Sequence, residues 1–336
     1  MKLINQGQSK SLIFIFLISF FSVLFSAQTA LATTIFSPLL DFEIDPGQSQ
    51  AGVVKLYNET EEDLYLTASV EPFRAGDETG QPIYLPAEEK HLFLQWFKID
   101  QEAIILRPKQ VAIVPFTVTV PAQAVPGGYF AVIFWETTAG PAGDNTGLSL
   151  SSKVGSLVFL KVKGEVTEAA EIAEFKTAAA ANYFFKLPIN FLVRLANQGN
   201  VHLRPTGTIE LKNWLGQTEI LEVNSAKRYV LPDSIRRFEV VWGQGSGANV
   251  WQNFWPNLKK ELTGLAFGRY TATLNLTYGL DQPKTLTEQL SFWFIPGYSI
   301  IALIILVLVL FLLKKINSQV KKIKNQARKI PDENKS

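Results

Sequence analysis

An uncharged apolar run close to the C-terminus constrains the fold of this chain more than any other feature. Residues 299–313 contain no charged side chain, and Lys314 and Lys315 follow at once. With Tyr298 the run has 16 residues. The preceding apolar residues and the aliphatic stem of Lys314 extend it toward the ~20 residues that cross a bilayer. The run predicts one transmembrane helix over residues 297–314, and the alternative is a buried core helix.

The residues before this run predict how the helix begins. Pro296 and Gly297 should end the preceding strand, because both residue types interrupt regular strand pairing. Trp293, Phe294 and Tyr298 are then expected at the outer membrane interface as an aromatic belt, since amphipathic rings favour the headgroup region.

The N-terminus has the pattern of a signal peptide. Two lysines precede an apolar core at residues 12–25, and Ala30-Leu31-Ala32 fits a small-residue cleavage site. This core is short for a membrane span. The pattern therefore favours a signal peptide over residues 1–32, cleaved before Thr33, and the alternative is an uncleaved anchor helix.

The C-terminal tail predicts the orientation of the chain. From Lys314 onward, eight Lys or Arg residues occur with only two acids, Asp332 and Glu333. Because basic flanks stay in the cytoplasm, residues 315–336 should form a basic cytoplasmic tail, as in a type I single-pass membrane protein. The positive charge also favours contact with anionic lipids.

The segment between the two ends is mildly acidic and has no cysteine. Residues 33–296 contain 22 Lys and Arg residues against 28 Asp and Glu residues, although the whole chain has a net charge of +2. Nucleic acid is not expected as a partner, because it requires a basic face. Without disulfides, each folded unit has to bury enough core to be stable alone.

The pattern of this central segment predicts short β-strands. Apolar and polar residues alternate with period two at residues 64–70, 114–120 and 270–278, which is typical of antiparallel strands with one buried face. Residues 129–135 are apolar on both faces and predict a central strand, which the turn Pro126-Gly127-Gly128 precedes. No segment outside the membrane span predicts an amphipathic helix.

The spacing of these strands predicts an all-β fold of two tandem Ig-like antiparallel β-sandwiches followed by the transmembrane helix. Strands recur about every 10 residues on both sides of a short Ala-rich stretch at residues 177–181. We place the first domain at residues 34–168 and the second at residues 169–296. Gly- and Asn-rich residues 139–147 and 243–247 are expected to be exposed loops.

Short phrases in the predicted first domain resemble a known family. They are Ser37-Pro38, Asp45-Pro46-Gly47-Gln48-Ser49, Gly52-Val53-Val54-Lys55-Leu56-Tyr57-Asn58, Leu106-Arg107-Pro108, Val120-Pro121 and Pro126-Gly127-Gly128-Tyr129-Phe130-Ala131-Val132-Ile133-Phe134. Their order resembles the DUF916 domain, the peptidoglycan-binding module of WxL-interacting cell-surface proteins of bacteria. The resemblance covers the first domain and the overall architecture; the second domain departs from that family's pattern.

This resemblance implies a location and two kinds of partner. Proteins of this family have a signal peptide, two Ig-like domains, one C-terminal transmembrane helix and a basic tail. The implied location is the bacterial cell membrane, with the folded domains outside the cytoplasm. The implied functions are attachment to peptidoglycan and capture of a surface protein.

The sequence carries no pattern for catalysis, a metal or a cofactor. The only histidines, His91 and His202, lie far apart in the chain. We expect His91 in a solvated loop and His202 as a surface or capping group. The G-x-S-x-G pattern of serine hydrolases is absent. We therefore expect that the protein is not an enzyme.

Aromatic clusters are the best candidates for recognition. Trp251, Phe254 and Trp255 lie among amide side chains within a loop that we place at residues 244–265, and Trp96 and Phe97 form a smaller cluster. Such rings can stack on sugars or anchor a protein interface. Alternatively, they fill the end of a core or touch the membrane.

These features favour a non-catalytic, membrane-anchored cell-surface adaptor that binds the cell wall, a surface protein or both. Affinity would come from sheet faces, loops or strand addition at an exposed edge. The alternative is an accessory or chaperone-like subunit of an envelope protein complex.

Overall fold

The computed structural model describes residues 33–85, 92–138, 152–243, 255, 258–259, 261–262, 267–279 and 283–327. The predicted signal peptide over residues 1–32, the loop at 139–147 and His91 lie outside the described residues.

Within these ranges, the first ten strands form two facing sheets, which we call the first sheet pair. The strands are β1 (Thr33–Ile35), β2 (Leu39–Ile44), β3 (Ser49–Asn58), β4 (Leu64–Ala75), β5 (Pro82–Tyr84), β6 (Phe97–Ile99), β7 (Ala103–Leu106), β8 (Val111–Thr119), β9 (Gly127–Thr138) and β10 (Lys153–Val162), with a 3-10 helix at Leu92–Trp96. One sheet has the order β1-β3-β8-β6. The other has the order β2-β10-β9-β4-β5, and β7 also pairs with β4.

The core of the first sheet pair follows from the alternation. Leu66 on β4, Phe116 on β8 and Trp135 on β9 are at most 1% exposed and belong to one hydrophobic cluster between the two sheets. The alternation predicted at residues 64–70 and 114–120 is confirmed, because every second residue there enters this cluster.

The following strands form the second sheet pair. They are β11 (Ala170–Thr177), β12 (Tyr183–Phe184), β13 (Ile189–Asn197), β14 (Thr206–Asn213), β15 (Thr218–Val223), β16 (Ser234–Trp242), β17 (Gly268–Tyr278) and β18 (Lys284–Phe294). The sheet orders are β11-β13-β16 and β12-β18-β17-β14-β15. Phe191, Leu274 and Phe292 are buried in a separate cluster between these sheets. On β17 the predicted face from Tyr270 to Tyr278 is buried as expected.

The all-β fold with facing sheets and a C-terminal helix is therefore confirmed. The two clusters separate at residues 163–169, close to the predicted boundary, and the division into Ig-like domains at 34–168 and 169–296 stays a prediction. The sheets are not wholly antiparallel: β2 runs parallel to β10, and β12 runs parallel to β18. The chain crosses between the first two sheets after β1, at Ser37-Pro38, and this crossing brings β2 alongside β10.

Helix α1 (Gly297–Ala327) follows β18 after Ile295 and Pro296. Its segment Gly297–Lys322 is long and apolar enough to cross a membrane, as the sequence predicts. The helix continues beyond residue 314, the predicted end of the span, as far as Ala327; the end of the membrane-spanning part at residue 314 stays a prediction. Lysine and glutamine are good helix formers, and no proline or glycine interrupts the helix before Ala327.

The start of α1 corrects the predicted aromatic belt. Trp293 is 43% exposed, but Phe294 is fully buried in the core of the second sheet pair. Successive residues of a strand point to opposite faces, so Trp293 and Phe294 cannot both lie on the surface of β18.

A buried asparagine stabilises the same turn in both sheet pairs. Asn58 and Asn197 end β3 and β13, and their amide groups donate hydrogen bonds to two backbone carbonyls each. Each side-chain oxygen accepts a hydrogen bond from the backbone N–H two residues later, on Thr60 and Gly199 respectively. These bonds help to satisfy the backbone polar groups of the turn.

Candidate binding cleft between the sheet pairs

The outer face of the larger sheet in the first pair is apolar and faces the second pair. Phe73, Val132, Phe134 and Phe159 form a third cluster on this face, and Tyr229 of the second pair packs against it. The prediction that residues 129–135 form a central strand, apolar on both faces, is confirmed, since β9 lies between β10 and β4. One face fills the first core, and the other faces the second pair.

Aromatic rings join the two sheet pairs at this face. The ring of Phe159 lies 5.2 Å from that of His202 and 5.0 Å from that of Tyr229, with edge-on geometry in both cases. Phe130 also contacts His202, at 5.7 Å. The His202 side chain is 6% exposed, so its predicted position as a surface or capping group is wrong. Packing between the sheet pairs buries the ring.

Asp41 on β2 accepts hydrogen bonds from both rings of the second pair. The Tyr229 hydroxyl donates to Oδ2 at 2.6 Å, and Nε2 of His202 donates to Oδ1 at 3.0 Å. Burial raises the pKa of Asp41, but these hydrogen bonds and the nearby charges of His202 and Arg204 outweigh it, so the pKa lies below its usual value. Burial and the Asp41 carboxylate raise the pKa of Tyr229 to about 12.

The tip of the β4–β5 hairpin forms a second contact between the pairs. Glu78 forms an ion pair with Arg194 on β13. The backbone carbonyl of Glu78 accepts a hydrogen bond from the backbone N–H of Arg237 at 2.8 Å. Arg236 donates to the carbonyls of Tyr229 and Thr79, at 2.7 and 3.1 Å. Burial lowers the pKa of Arg236, and the positive charge of Arg228 lowers it further.

Gly80 in this hairpin gives the Arg236 guanidinium room to approach. A Cβ atom at Gly80 would lie 2.3 Å from Cζ of Arg236, and the residue has a φ of +78°. Gly128 makes a third contact, because its N–H donates to the Asn200 carbonyl at 2.8 Å. The sequence predicts the turn at Gly127-Gly128 but not this close backbone approach.

Two neighbouring cavities open along this boundary and share Arg204 and Tyr229. The larger one has a volume of about 410 Å³. Its lining combines apolar residues of the first pair with cations of the second: Phe73, Leu157, Phe159, Arg204, Lys227, Arg228 and Arg236. Asp77 is the only carboxylate among its described lining residues. An apolar floor bordered by cations suits an extended peptide that carries a carboxylate.

The smaller cavity has a volume of about 200 Å³ and a different charge pattern. Asp41, Glu43, Lys161, Glu168 and His202 belong to its lining. Lys161 is buried, with Glu168 and Glu43 at 3.4 and 3.7 Å, so these charges largely compensate one another. We call the two cavities together the inter-pair cleft.

The predicted recognition residues that the structure describes are not among the lining residues of the cleft. Trp96 ends the 3-10 helix with its ring 4.8 Å from that of Tyr129, and both Trp96 and Phe97 pack against the core of the first pair. Trp251 and Phe254 lie outside the described residues. Trp255 is 69% exposed. Trp255 and the described residues of 258–262 are helical, where the sequence predicts a loop. Of the five aromatics, the three that the structure describes, Trp96, Phe97 and Trp255, do not line the cleft, and the role of all five in recognition stays a prediction.

No group of three or more His, Cys, Asp or Glu residues is placed to hold a metal ion within the described part of the chain. In the same part, Nδ1 of His202 is buried without a hydrogen-bond partner.

No protein-family model matches the sequence, and no curated protein matches it. Similar solved structures include the class 5 fimbriae chaperone CfaA, 13% identical with a TM-score of 0.36 over 77% of this chain and 98% of that chain. The E. coli chaperone DraB is 12% identical with a TM-score of 0.35, at the same coverage.

A third similar structure is the CsuC–CsuE chaperone–tip adhesion subunit pre-assembly complex of Acinetobacter baumannii. The identity is 14% and the TM-score 0.32, over 62% of this chain and 89% of that chain. Similarities with such low TM-scores carry no functional inference. The resemblance to the DUF916 domain stays a prediction.

Proposed function

We propose that this chain is a non-catalytic, membrane-anchored protein whose inter-pair cleft binds an extended, carboxylate-bearing segment of a partner protein. The larger cavity, with its apolar floor and basic border, is the observation that carries this proposal. The proposal includes a signal peptide, the two folded units outside the bacterial cytoplasm, α1 in the cell membrane and the basic tail in the cytoplasm.

The basic border has cations available for a partner. Among the described residues, Arg204 donates only a long hydrogen bond, 3.3 Å, to Tyr229, and it lies over that ring at 5.6 Å. Arg228 and Lys227 form no ion pair among the described residues. A guanidinium can bind a carboxylate through two parallel hydrogen bonds, which supports an acidic group as the ligand.

The contacts on either side of the cleft support a preformed site. Asp41, Glu78 and Gly128 each bond to the second sheet pair, so the walls are fixed relative to each other. A preformed site loses less conformational entropy on binding than one that must order first. The same packing supports a non-catalytic role, because three aromatic rings surround His202.

Photo-crosslinking in cells that express the full-length chain tests this proposal. A photoreactive residue replaces Ala226, which is exposed and lines the larger cavity. The control position is Ile113, which is 58% exposed on the opposite side of the first sheet pair. We expect a discrete protein adduct at position 226 and none at position 113.

Charge reversal tests whether the basic border binds the partner. The double variant Arg204→Glu/Arg228→Glu should abolish the adduct at position 226, whereas Lys98→Glu, at an exposed position of β6, should leave it unchanged. An adduct that survives reversal of both cleft charges would rule out the cleft as an acid-binding site.

A chaperone-like or accessory role is the second candidate, and the edge of β10 favours it. β10 pairs with β9 over its whole length but with β2 only from Leu157 onward. Residues 153–155 therefore have no second strand neighbour within the described chain, which permits strand addition by a partner. An adduct that forms early in a pulse-chase and then disappears supports this role; a persistent adduct supports an adaptor.

Peptidoglycan binding by the first sheet pair is a further proposal that rests on the DUF916 resemblance. Detergent-solubilised full-length protein should sediment saturably with protein-free sacculi if the proposal is correct. If the protein does not sediment with sacculi at any salt concentration, the first sheet pair does not bind peptidoglycan, and the proposal for the cleft is unaffected.

A further inference from the structure

Several exposed apolar side chains lie at the end of the second sheet pair that leads into α1. We call this group the membrane-end collar and define it by Tyr183, Phe185, Trp214, Leu215, Phe267 and Trp293, which are 43–61% exposed. Trp255 and Leu262, 69% and 63% exposed, belong to the helical segment beside it.

Backbone pairing holds the collar next to the first turn of α1. Tyr183 pairs with Trp293, and the Phe185 carbonyl accepts the N–H of Gly297, the first residue of the helix. Gly268, which follows Phe267, pairs with Phe294. Paired strands lie about 4.8 Å apart, so these side chains are within a few strand spacings of the helix start.

Trp214 is fixed in the same place. Its indole Nε1 donates to the Phe267 carbonyl at 2.7 Å, and its ring lies against the backbone of Gly268. The hydrogen bond satisfies the polar atom of the ring, and the rest of the ring is left exposed.

A buried carboxylate of the helical segment beside the collar binds the first turn of α1. Glu261, 4% exposed, accepts hydrogen bonds from the backbone N–H groups of Tyr298 and Ser299, at 3.3 and 2.7 Å, and from the Ser299 hydroxyl at 2.8 Å. A carboxylate at this position satisfies unpaired helix donors and complements the positive end of the helix dipole. The helix start therefore has a defined position relative to the second sheet pair.

Exposed aromatic residues concentrate at this end. Outside α1, eight aromatic residues of the described chain are strongly exposed; five of them are in the collar, and Trp255 is a sixth. All three strongly exposed tryptophans are among these six. Aromatic rings with a polar edge favour the boundary between lipid headgroups and acyl chains.

We propose that the membrane-end collar inserts into the outer headgroup region of the bilayer, so that the second sheet pair rests on the membrane. The proposal depends on α1 spanning that membrane, as the proposed function states. Continuity with α1 identifies lipid as the occupant, because a spanning helix brings the collar to the bilayer surface. Lys186 and Arg269, adjacent in sequence to Phe185 and Gly268, add positive charge that favours anionic headgroups.

Single-cysteine labelling tests this contact cleanly, because the chain has no cysteine. The full-length variants Leu215→Cys, Leu306→Cys and Ile113→Cys each receive an environment-sensitive fluorophore. They are reconstituted into phosphatidylcholine–phosphatidylglycerol vesicles that contain lipids with a nitroxide quencher at a shallow or a deep position. All three side chains are more than 40% exposed, so the substitutions should not disturb folding.

We expect the label at Leu215 to be quenched several-fold more by the shallow lipid than the label at Ile113. The label at Leu306 should be quenched most by the deep lipid. If Leu306 responds to the deep quencher and Leu215 matches Ile113, the collar does not touch the membrane, although the helix spans it. If Leu306 does not respond, α1 does not span the bilayer and the proposed anchoring fails.

A blue shift at Leu215 that occurs equally in detergent and grows with protein concentration would instead identify a second copy of the chain as the occupant and overturn the proposal. A matched variant, Leu215→Cys with Lys186→Glu and Arg269→Glu, tests whether the two cations contribute to binding of anionic headgroups. We expect its shallow quenching to fall when phosphatidylglycerol is present and to stay unchanged in phosphatidylcholine alone. Unchanged quenching in both lipids would overturn the inferred role of the two cations.

Discussion

Removing the ring of Phe159 should weaken the contact between the two sheet pairs while leaving both cores folded. The ring is 5% exposed and contacts four others: Phe73 and Phe130 in its own sheet pair, and His202 and Tyr229 across the boundary. Truncation of a buried phenylalanine to alanine typically costs about 3–5 kcal/mol. The two contacts across the boundary account for about 1–3 kcal/mol of this, at about 0.5–1.5 kcal/mol for each edge-on aromatic pair beyond area burial.

The neighbouring residue on β10 provides a matched control. Leu160 is fully buried in the core of the first pair, on the opposite face of the strand. Leu160→Ala costs a similar amount, about 2–5 kcal/mol, without removing a contact between the pairs.

Hydrogen exchange measured by mass spectrometry on the full-length protein distinguishes the two variants. Phe159→Ala should accelerate exchange at the N–H groups of Gly128 and Arg237, whose acceptors lie in the other sheet pair. Leu160→Ala should accelerate exchange across β8 and β9. If Phe159→Ala gives the same exchange pattern as Leu160→Ala, with no additional acceleration at the N–H groups of Gly128 and Arg237, Phe159 does not hold the two sheet pairs together.

Three further substitutions test contacts at the cleft and in the second sheet pair. Gly80→Ala should lower Tm more than Gly216→Ala, because both positions have φ near +80° but only at Gly80 would the new Cβ meet Arg236, at 2.3 Å; equal effects would contradict this contact. Asn197→Ala should destabilise the chain by about 1–3 kcal/mol in urea unfolding, since it removes the side-chain donor to the Val201 carbonyl and one of the two donors to the Val230 carbonyl, which keeps the Leu203 N–H; a loss within the error of the measurement would contradict it. The lowered pKa of Asp41 means that its stabilising contribution is present above its usual pKa and lost as the pH falls through the folded value. Asp41→Asn should therefore flatten the dependence of Tm on pH below about pH 4, and an unchanged slope would refute that link.

Much of the fold follows from local patterns in the sequence. Strands such as β17 alternate cleanly, with Tyr270 and Leu274 on the buried face and threonines opposite, and this period fixes both the element and its inner face. The helix start follows from Pro296-Gly297. Its continuation to Ala327 does not follow from the apolar run, because the charged residues after Leu313 can end a membrane span without ending the helix.

The cleft could not be predicted in the same way. Asp41 lies 161 positions from His202 and 188 positions from Tyr229. No periodicity connects residues so far apart; only the packing of one sheet pair on the other does. One signal was present: residues 129–135 are apolar on both faces, and the outward face needs a cover that the first sheet pair does not supply.

The most direct test of the central claim measures binding at the basic border of the cleft. A synthetic peptide with the partner sequence crosslinked at position 226 is titrated, by fluorescence anisotropy, with the full-length protein in detergent and with Arg204→Glu/Arg228→Glu. Hydrogen bonds to a charged group contribute about 1.5–3 kcal/mol each, so the variant should bind at least about tenfold more weakly. Equal affinities for the two proteins would contradict the assignment of the cleft as the partner-binding site.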